Sequence, residues 1–356
     1  MKRIFITHIA PKDTIVKYHI PAAPVYFSYN LIAGKMFDKV YSILPANICG
    51  KKEDFSDEEV ETIYSSWRGK KFLHKFAPFV EDLKLFPKIP RRSSVWFYNV
   101  TMLTALLIIL LQIFKPSVKR YVIILDFTPG AKWNYFLLRL INSSNGLIKL
   151  STSELFTVKN SCILPGVIPL EGEHMTIKLP FTSDYLLSGN LNEQICMLHM
   201  LLPAFAQMPN LRLHISGFSG DEEYIKSFTE KYPNIIRYGM LEYDEFLELM
   251  QRCPFLLSTR DPSFPENKCN FPSKVIEGLL HNRIIISTIH YVQLEGINYV
   301  EVPNTTDAFV AAMLEFSQKS ESELLTYANQ SRKVKNRFNN KVWAGKIAEI
   351  ENNSIV

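Results

Sequence analysis

The stretch VWFYNVTMLTALLIILLQIF, residues 95–114, carries no charged side chain and decides which kind of fold this chain adopts. A helix of about 20 apolar residues is the shortest that crosses a bilayer. Asn99, Thr101 and Thr104 interrupt the first half of the stretch, and Pro116 ends any helix shortly after it. These positions favour two shorter elements over one membrane span.

The same stretch contains a strand at Val95–Tyr98 followed by a helix at Met102–Phe114. The next β-branched run, Tyr121–Leu125, predicts a second strand. Strand, helix and strand in this order form a βαβ unit, in which the two strands are parallel and the helix is buried. We therefore predict an α/β protein.

Strand and helix signals of this kind alternate along most of the chain, in two series that predict two doubly wound parallel sheets. The further strands are predicted at Ile4–Thr7, Lys39–Ile43 and Ile148–Leu150 in the first series, and at Tyr185–Ser188, Leu211–Ser216, Ile235–Tyr238, Phe255–Ser258, Arg283–Ser287 and Tyr299–Val302 in the second. The helices of the second series and the C-terminus are predicted at Glu193–Gln207, Asp221–Lys231, Tyr243–Arg252, Pro272–His281, Thr306–Gln318, Glu321–Asn340 and Lys341–Glu351.

The chain has 356 residues, whereas one domain usually has about 150, so two domains are expected. The segment Leu164–Pro180 is rich in proline and glycine, and is the predicted boundary. We predict a first Rossmann-like domain over residues 1–176 and a second over 177–335. A C-terminal helix in 336–356 is expected to return to the first domain, and residues 47–92 to form helical insertions.

Composition excludes several classes of protein. Apolar residues make up 47% of the chain and charged residues 21%, as in a globular protein and unlike a disordered or fibrous one. Five cysteines are present without a CxxC pair, which leaves out zinc ribbons and redox motifs. The N-terminal apolar run is too short for a signal peptide, so we expect a cytoplasmic chain.

Two strand ends in the second series carry glycine turns. Leu187-Ser-Gly-Asn-Leu-Asn-Glu193 runs from a strand through Gly189 and Asn190 into a helix, which suits a phosphate group or an ordinary capped turn. Ile215-Ser-Gly-Phe-Ser-Gly-Asp221 has a similar form around Gly217, but its acidic first helical turn would repel a diphosphate. We interpret this second loop as structural or facing the nucleobase.

Two further segments carry cations where an anion could bind. Arg260 ends an apolar strand, where it serves either as an anion clamp or as a surface ion pair with Asp261. Asn270-Phe-Pro-Ser-Lys-Val-Ile-Glu-Gly278 predicts a helix whose first turn holds Ser273 and Lys274. A lysine is unfavourable at the positive end of a helix unless an anion shares the site.

Glu277 follows Lys274 by three residues and lies on the same face of that helix. A cation for the diphosphate and a carboxylate for the sugar hydroxyls would bind a nucleotide diphosphate with its ribose. A capped amphipathic helix with a Lys–Glu pair is the alternative explanation.

Together these segments resemble the GT-B glycosyltransferases of the large retaining family four, especially its capsular and exopolysaccharide branch. That branch has a YSGxLNE turn, a strand end similar to LxNPR, and an FPSK-x-x-E helix followed by GxPV. The matching segments here are Leu187–Glu193, Leu257–Arg260, Phe271–Glu277 and Asn282–Ile286, in the same order and spacing. The resemblance covers roughly residues 183–300, about a third of the chain.

The resemblance implies a GT-B fold, with two Rossmann-like domains facing across a cleft, and a transferase that uses a nucleotide-sugar donor without a metal or other cofactor. Glu277 would hold the ribose. Gly189, Ser273 and Lys274 would surround the diphosphate, and Arg260 would match the arginine at the preceding strand end.

The chain also departs from the family pattern. The first glutamate of the EX7E motif falls on Cys269, and the arginine and lysine expected after the glycine turn fall on Asn190 and Ile195. Lys274 and Arg260 are the candidates to replace the two missing cations. Otherwise the chain would be a weak or inactive member.

In the first domain, His8 and Asp126 each follow a strand and are the predicted catalytic or acceptor-orienting residues. Ordinary strand-end and helix-capping roles are the alternatives. A retaining transfer does not strictly require an enzymic base, so Asp126 would orient the acceptor or the donor sugar.

The net charge of +5 is unevenly divided. Residues 1–180 hold 24 Lys and Arg against 14 Asp and Glu, whereas residues 181–356 hold 16 against 21. Basic and aromatic residues crowd the segment 67–92, which indicates contact with an anionic membrane surface or, alternatively, a solvated face. No RNA-binding motif is present, so we expect no nucleic-acid partner.

The sequence thus predicts a glycosyltransferase that moves a sugar from a UDP- or GDP-sugar to a lipid-linked or saccharide acceptor in surface polysaccharide synthesis, as a peripheral protein at the inner face of the cell membrane. A non-catalytic GT-B module that binds a sugar nucleotide or glycan is the alternative. A GT-B sugar-nucleotide epimerase is a third.

Overall fold

The computed structural model describes residues 1–14, 17–18, 22–45, 48, 50, 52–130, 132–168 and 175–354. The central part of the predicted boundary, residues 169–174, lies outside this set. The chain divides into two compact units, each described here by itself. The first unit comprises Met1–Leu170, Cys269–Phe271 and Phe338–Val356, and the second comprises Glu171–Lys268 and Pro272–Arg337.

Each unit is built around one parallel sheet, so the predicted α/β class with two parallel sheets is confirmed. The first sheet has the order β3-β2-β1-β4-β5-β6-β7, with β1 Arg3–Thr7, β2 Lys39–Ile43, β3 Glu61–Ile63, β4 Ser94–Tyr98, β5 Lys119–Ile124, β6 Gly146–Lys149 and β7 Ser161–Ile163. The second has the order β10-β9-β8-β11-β12-β13, with β8 Asp184–Asn190, β9 Arg212–Phe218, β10 Ile235–Gly239, β11 Phe255–Ser258, β12 Ile284–Ser287 and β13 Val300–Glu301.

Helices connect the strands and cover both sheets. They are α1 Ala22–Ala33, α2 Ala77–Leu85, α3 Met102–Phe114, α4 Lys132–Asn142, α5 Glu193–Cys196, α6 Leu198–Ala206, α7 Glu222–Thr229, α8 Tyr243–Arg252, α9 Pro265–Cys269, α10 Ser273–Leu280, α11 Thr306–Phe316, α12 Glu321–Ala328, α13 Ser331–Phe338 and α14 Asn340–Asn353.

Helix α3 occupies the uncharged stretch between β4 and β5, as the sequence predicts. The Thr101 hydroxyl caps it by accepting a hydrogen bond from the backbone N–H of Leu103, 3.2 Å away. The face that includes Leu107 and Leu111 is fully buried in the core of the first unit. The opposite face is only partly covered, so the expectation of a wholly buried helix is wrong for that side. Among the described residues, no helix is long and apolar enough to span a membrane.

Helix α14 belongs to the first unit, where Glu351 joins it to the sheet. One carboxylate oxygen of Glu351 accepts a hydrogen bond from the Trp96 indole at 2.9 Å, and the other pairs with the Arg3 guanidinium at 2.7 Å. Nearer the start of the helix, the Trp343 indole donates a hydrogen bond to the carbonyl of Gly166 at 2.7 Å. The last helix therefore closes the face of the sheet that α3 leaves free.

Several elements differ from the predicted ones for local reasons. The predicted helix Glu193–Gln207 is divided into α5 and α6 because Met197 has a left-handed backbone, with φ of 51°. The strands β3 and β7 have three residues each, too few for an alternating pattern to reveal. The segment predicted as helical insertions, of which residues 47, 49 and 51 lie outside the described set, contains β3 as well as α2.

A buried ion pair anchors the loop before α2. Arg68 and Glu81 are both fully buried, with their charged groups 2.7 Å apart. The Arg68 guanidinium also donates to the backbone carbonyls of Leu44, Pro45 and Ile48. A buried guanidinium stays charged only where such partners surround it, so Arg68 is not part of an exposed basic surface.

Asp82, beside this pair on α2, has no cationic partner of its own. One carboxyl oxygen accepts the backbone N–H of Leu107 at 3.0 Å, and the other has no hydrogen-bond partner among the described residues. Burial raises the pKa of Asp82 to about 8. The folded protein therefore holds this carboxyl in its neutral form at neutral pH.

The unfolded chain ionises the same carboxyl above a pKa of about 4, so stability falls as the pH rises from about 4 to about 8. Asp82→Asn cannot ionise and should remove this loss. As the pH rises from about 5 to about 8, the free energy of unfolding of this variant should increase by about 1–3 kcal/mol relative to that of the natural protein. Urea denaturation measures both values. The exposed Asp244→Asn is the control. A difference that does not change with pH would contradict the assignment.

Candidate functional site

The candidate site lies at the carboxyl ends of neighbouring strands in the second unit. Numbered within that unit, the strand order is 3-2-1-4-5-6, with the topological switch point between β8 and β11. Open sheets of this kind bind ligands at the carboxyl edge beside the switch point. Gly189 and Gly217 are the residues before the last of β8 and β9, and Arg260 follows β11, so the fold brings these predicted residues to one edge.

The two glycines allow a close approach of backbones. Gly189 and Gly217 are paired in register between β8 and β9, with φ of +106° and +130°. A Cβ at position 217 would overlap the backbone of Gly189. No other residue type fits Gly217 without displacing the turn, and this turn is the floor of the candidate site.

Lys274 extends over this floor. It lies in the first turn of α10, and a Cβ placed on Gly189 would clash with its ammonium group. Pro272 is the N-cap of the helix, and Ser273, which is exposed, is its first residue. The missing side chain at Gly189 therefore makes room for a cation directly above the turn.

The ammonium of Lys274 has no ion-pair partner within contact distance among the described residues. Lys274 is partly buried and makes no hydrogen bond or ion pair with the residues that the structure describes. Burial lowers the pKa of Lys274, and the guanidinium of Arg260 lowers it further, whereas Cys196 and Glu277 oppose this shift. Two cations thus stand close enough to repel each other, an arrangement that favours an anionic ligand between them.

Arg260 is held in place by neutral partners. Its guanidinium donates to the Asn267 side-chain oxygen at 2.9 Å, and its backbone N–H donates to the Thr288 hydroxyl at 2.7 Å. No ion pair joins it to Asp261, which instead accepts hydrogen bonds from Ser263. The interpretation of Arg260 as a surface ion pair with Asp261 is therefore wrong. No carboxylate of the described residues forms an ion pair with its guanidinium, so the charge is available to a ligand.

Glu277 lies one turn after Lys274 on α10 and is also partly buried. The Tyr243 hydroxyl donates to its carboxylate over 3.4 Å. Burial raises the pKa of Glu277, while Lys274 and Tyr243 act in the opposite direction. A carboxylate in this setting accepts hydrogen bonds from sugar hydroxyls readily, because little water competes for it.

Two other positions replace charged groups of the family pattern with neutral ones. Asn190 is exposed at the end of β8, and its carbonyl accepts a hydrogen bond from the buried Cys196 thiol at 3.1 Å. Ile195 packs against the core of the second unit. Sequence reasoning missed Cys196 and Tyr243, because no motif places them near the glycine turn.

Cys269 stands where the resemblance puts the first EX7E glutamate, and it groups with the first unit. It is buried, and its sulfur lies 3.4 Å from the Ser153 hydroxyl. The next residue, Asn270, accepts the backbone N–H of Phe127 through its side-chain oxygen at 2.8 Å. These contacts are structural, and a buried thiol does not replace a carboxylate in binding a sugar.

In the first unit, His8 lies directly after β1. Its Nδ1 is 3.1 Å from the carbonyl of Ile43, and its Nε2 is 3.5 Å from the Thr101 hydroxyl. Burial lowers the pKa of His8 to about 4, so the ring is neutral near pH 7. A neutral imidazole can accept a proton or orient a hydroxyl group, but it does not supply a positive charge.

Asp126 is exposed and lies two residues after the end of β5, which is the neighbour of β4 in the sheet. Its charge acts on Tyr98, at the end of β4, whose pKa is raised mainly by burial and further by Asp126. The Tyr98 hydroxyl is buried and has no hydrogen-bond partner among the described residues. His8, Tyr98 and Asp126 therefore lie at the carboxyl ends of three neighbouring strands, and the sequence did not single out Tyr98.

The fold matches solved structures at low sequence identity. Trehalose-6-phosphate synthase OtsA aligns over 99% of each chain with 10% identity and a TM-score of 0.71. An E. coli structure of this kind, with UDP-2-fluoro glucose bound, has a TM-score of 0.69. The sucrose-phosphate synthase of Thermosynechococcus elongatus matches over 99% of each chain with 12% identity and a TM-score of 0.66.

The same fold occurs in the N-terminal domain of a Candida albicans trehalose-6-phosphate phosphatase, with 13% identity, a TM-score of 0.70 and coverage of 99% and 97% of the two chains. No family model and no curated protein matches this sequence. The matches confirm the predicted GT-B fold, and at these identities they concern the fold alone.

The glycine turn gives a testable consequence for stability. Gly217→Ala should lower the free energy of unfolding by about 2–4 kcal/mol, because the new Cβ meets the Gly189 backbone and the positive φ is strained. Urea denaturation measures the change. Gly220→Ala is the matched control, since a Cβ there meets nothing within 4 Å. Equal stability of the two variants would refute the close approach.

Proposed function

We propose that this chain is a glycosyltransferase that takes its sugar from a UDP- or GDP-sugar, with the donor bound in the second unit. The observation that carries the proposal is the ammonium of Lys274 above the Gly189 turn, at the switch point and without a counter-ion among the described residues. A diphosphate is the anion that suits this place, because Lys274, in the first turn of α10, and Arg260 are both cations near a glycine turn.

Each group has a distinct task in the proposed complex. Lys274 and Arg260 offset the charge of the diphosphate and replace the two cations absent at Asn190 and Ile195. Glu277 accepts hydrogen bonds from the ribose hydroxyls. Ser273 is exposed at the first position of α10, where its hydroxyl can reach a phosphate oxygen.

Transfer breaks the bond between the sugar C1 and the diphosphate oxygen and forms a bond from C1 to an acceptor hydroxyl oxygen. The departing diphosphate oxygen takes the bonding electrons and their negative charge, and the acceptor hydroxyl passes its proton to that oxygen. Lys274 and Arg260 stabilise that charge as it develops, which is the main way in which fixed cations lower such a barrier. We propose that the transfer retains the anomeric configuration and requires no metal.

The first unit is proposed to bind the acceptor. His8 is neutral and able to accept a hydrogen bond, and Asp126 is an exposed carboxylate after a strand, so both suit the orientation of hydroxyl groups. The proposed acceptor is a lipid-linked or oligosaccharide chain in surface polysaccharide synthesis, as in the capsular branch of the family. A lipid-linked acceptor places the reaction at the inner, cytoplasmic face of the cell membrane.

Calorimetry with UDP and GDP tests the donor site. Lys274→Met should weaken nucleotide binding by about tenfold or more, since a charge-assisted contact to phosphate is worth about 1.5–3 kcal/mol. Lys226→Met, an exposed lysine on α7, should leave the affinity unchanged. If Lys274→Met binds both nucleotides as tightly as the natural chain, the diphosphate is not bound at this turn.

Glu277 provides an independent test of the ribose contact. Glu277→Ala should weaken the binding of UDP or GDP by about tenfold, because the ribose hydroxyls lose a charged hydrogen-bond acceptor. The removal of a neighbouring exposed carboxylate in Glu248→Ala serves as the control. Unchanged affinity of Glu277→Ala would make the assignment of the ribose site wrong.

A second candidate function is a non-catalytic GT-B module that binds a sugar nucleotide or a glycan. The thiol of Cys269 in place of a glutamate favours it, and the same fold forms the N-terminal domain of a phosphatase. Incubation of the purified chain with a panel of nucleotide sugars separates the possibilities. Release of UDP or GDP supports transfer, a free isomeric nucleotide sugar supports an epimerase, and binding without turnover supports the module.

A further inference from the structure

The outer face of α3 is the feature that the donor site does not explain. Most residues that recur every three or four positions on this side are apolar: Met102, Leu106, Leu110, Ile113 and Phe114. The exposed polar residue beside them is Gln112, which accepts a hydrogen bond from Arg120. Exposure reaches 62% at Ile113 and 58% at Phe114. A helix on the surface of a globular domain normally has polar residues at such positions.

Helix α2 lies beside α3 and presents a second apolar row. The carboxyl of Asp82 accepts the backbone N–H of Leu107 at 3.0 Å, and the rings of Phe86 and Phe114 meet edge to face at 6.4 Å. The later residue of one segment meets the later residue of the other, so the two helices run in the same direction. On the outer side of α2, Leu83 is 55% exposed, and Phe76, Phe79 and Val80 before it are exposed or partly exposed.

The loop that leads into α2 adds the most exposed aromatic residue of this region. Phe72 is 81% exposed and Phe76 is 55% exposed, with Lys71 and Lys75 beside them. We call the apolar rows of α2 and α3, together with Phe72 and Phe76, the α2–α3 outer face. It is larger than a chance scatter of single apolar residues, which needs no explanation.

Positive charge predominates in this segment of the first unit, although Glu61, just before it, forms ion pairs with Lys39 and Lys88. Residues 62–125, all described by the structure, contain only two carboxylates, Glu81 and Asp82, and both are fully buried. The exposed or partly exposed cations of the same segment are Lys70, Lys71, Lys75, Lys84, Lys88, Arg91, Arg92, Lys115, Lys119 and Arg120. Apolar rows in a segment this rich in cations match a surface that is anionic outside and apolar beneath.

We propose that the α2–α3 outer face docks on an anionic lipid membrane, with Phe72, Leu83 and Ile113 entering the interface and the lysines contacting lipid phosphates. Interfacial binding of this kind combines buried apolar area with attraction to anionic headgroups. Helix α3 lies in the plane of the membrane surface and does not cross it. The proposal deepens the membrane part of the proposed function, and it requires no nucleotide.

Vesicle co-sedimentation of the full chain tests the proposal. We expect binding to phosphatidylcholine vesicles that contain phosphatidylglycerol, about tenfold weaker binding to pure phosphatidylcholine, and loss of most of the electrostatic part at about 1 M salt. The paired variant Leu83→Ser with Ile113→Ser should reduce binding by about tenfold or more. Met240→Ser with Leu314→Ser, on exposed apolar residues of the second unit, is the matched control.

Charge is tested separately by Lys71→Glu with Lys75→Glu, against the control Lys226→Glu with Lys231→Glu in the second unit. Only the first pair should lose vesicle binding. UDP affinity of every variant should stay unchanged, which distinguishes failure of the membrane proposal from failure of the donor site.

Two results would overturn the membrane assignment. One is equal loss of binding in the test and control variants. The other is a natural chain that does not bind vesicles but forms a dimer in light scattering, together with a Leu83→Ser, Ile113→Ser variant that is monomeric. In that case the occupant of the face is a second copy of the chain.

Discussion

The close approach of Gly189 and Gly217 is the constraint on which the candidate site depends. Parallel pairing of β8 with β9 brings the two backbones together in register, and only residues without a Cβ permit the resulting turn. The space left by the missing side chain at Gly189 is filled by the ammonium of Lys274. A steric requirement of the backbone thus decides where the charge of the site is placed.

The electrostatics of the site follow from charges that are partly buried and only partly compensated by the described residues. Lys274 and Arg260 repel each other, and Glu277 shares its carboxylate with Tyr243. A protein gains nothing in stability from such an arrangement, because buried charges cost free energy unless they are paired. Sites in which charges are held apart from their partners are typical of ligand binding, and this cost is the physical basis of the proposed function.

The sequence predicted most strands because they are apolar runs rich in β-branched residues. It singled out Gly189, Arg260, Lys274 and Glu277 because a turn and a helix start have recognisable residue types, and their binding roles stay a prediction. It did not single out Tyr98, the last residue of β4. Its buried hydroxyl has no hydrogen-bond partner among the described residues, and only the sheet order places it next to the end of β5. Short strands and the break at Met197 were missed for a related reason: three-residue pairings and one left-handed residue leave no periodic pattern.

The sequence by itself determined the α/β class, the parallel sheets and the excess of positive charge in the first half of the chain, since these follow from local periodicity and composition. Only the tertiary structure decided which charges are available. Arg68, counted among the basic residues, is buried against Glu81, whereas the uncharged helix α3 turns one apolar face outward. The physical reason is that burial depends on which elements pack together in space, and no local pattern in a single chain records that.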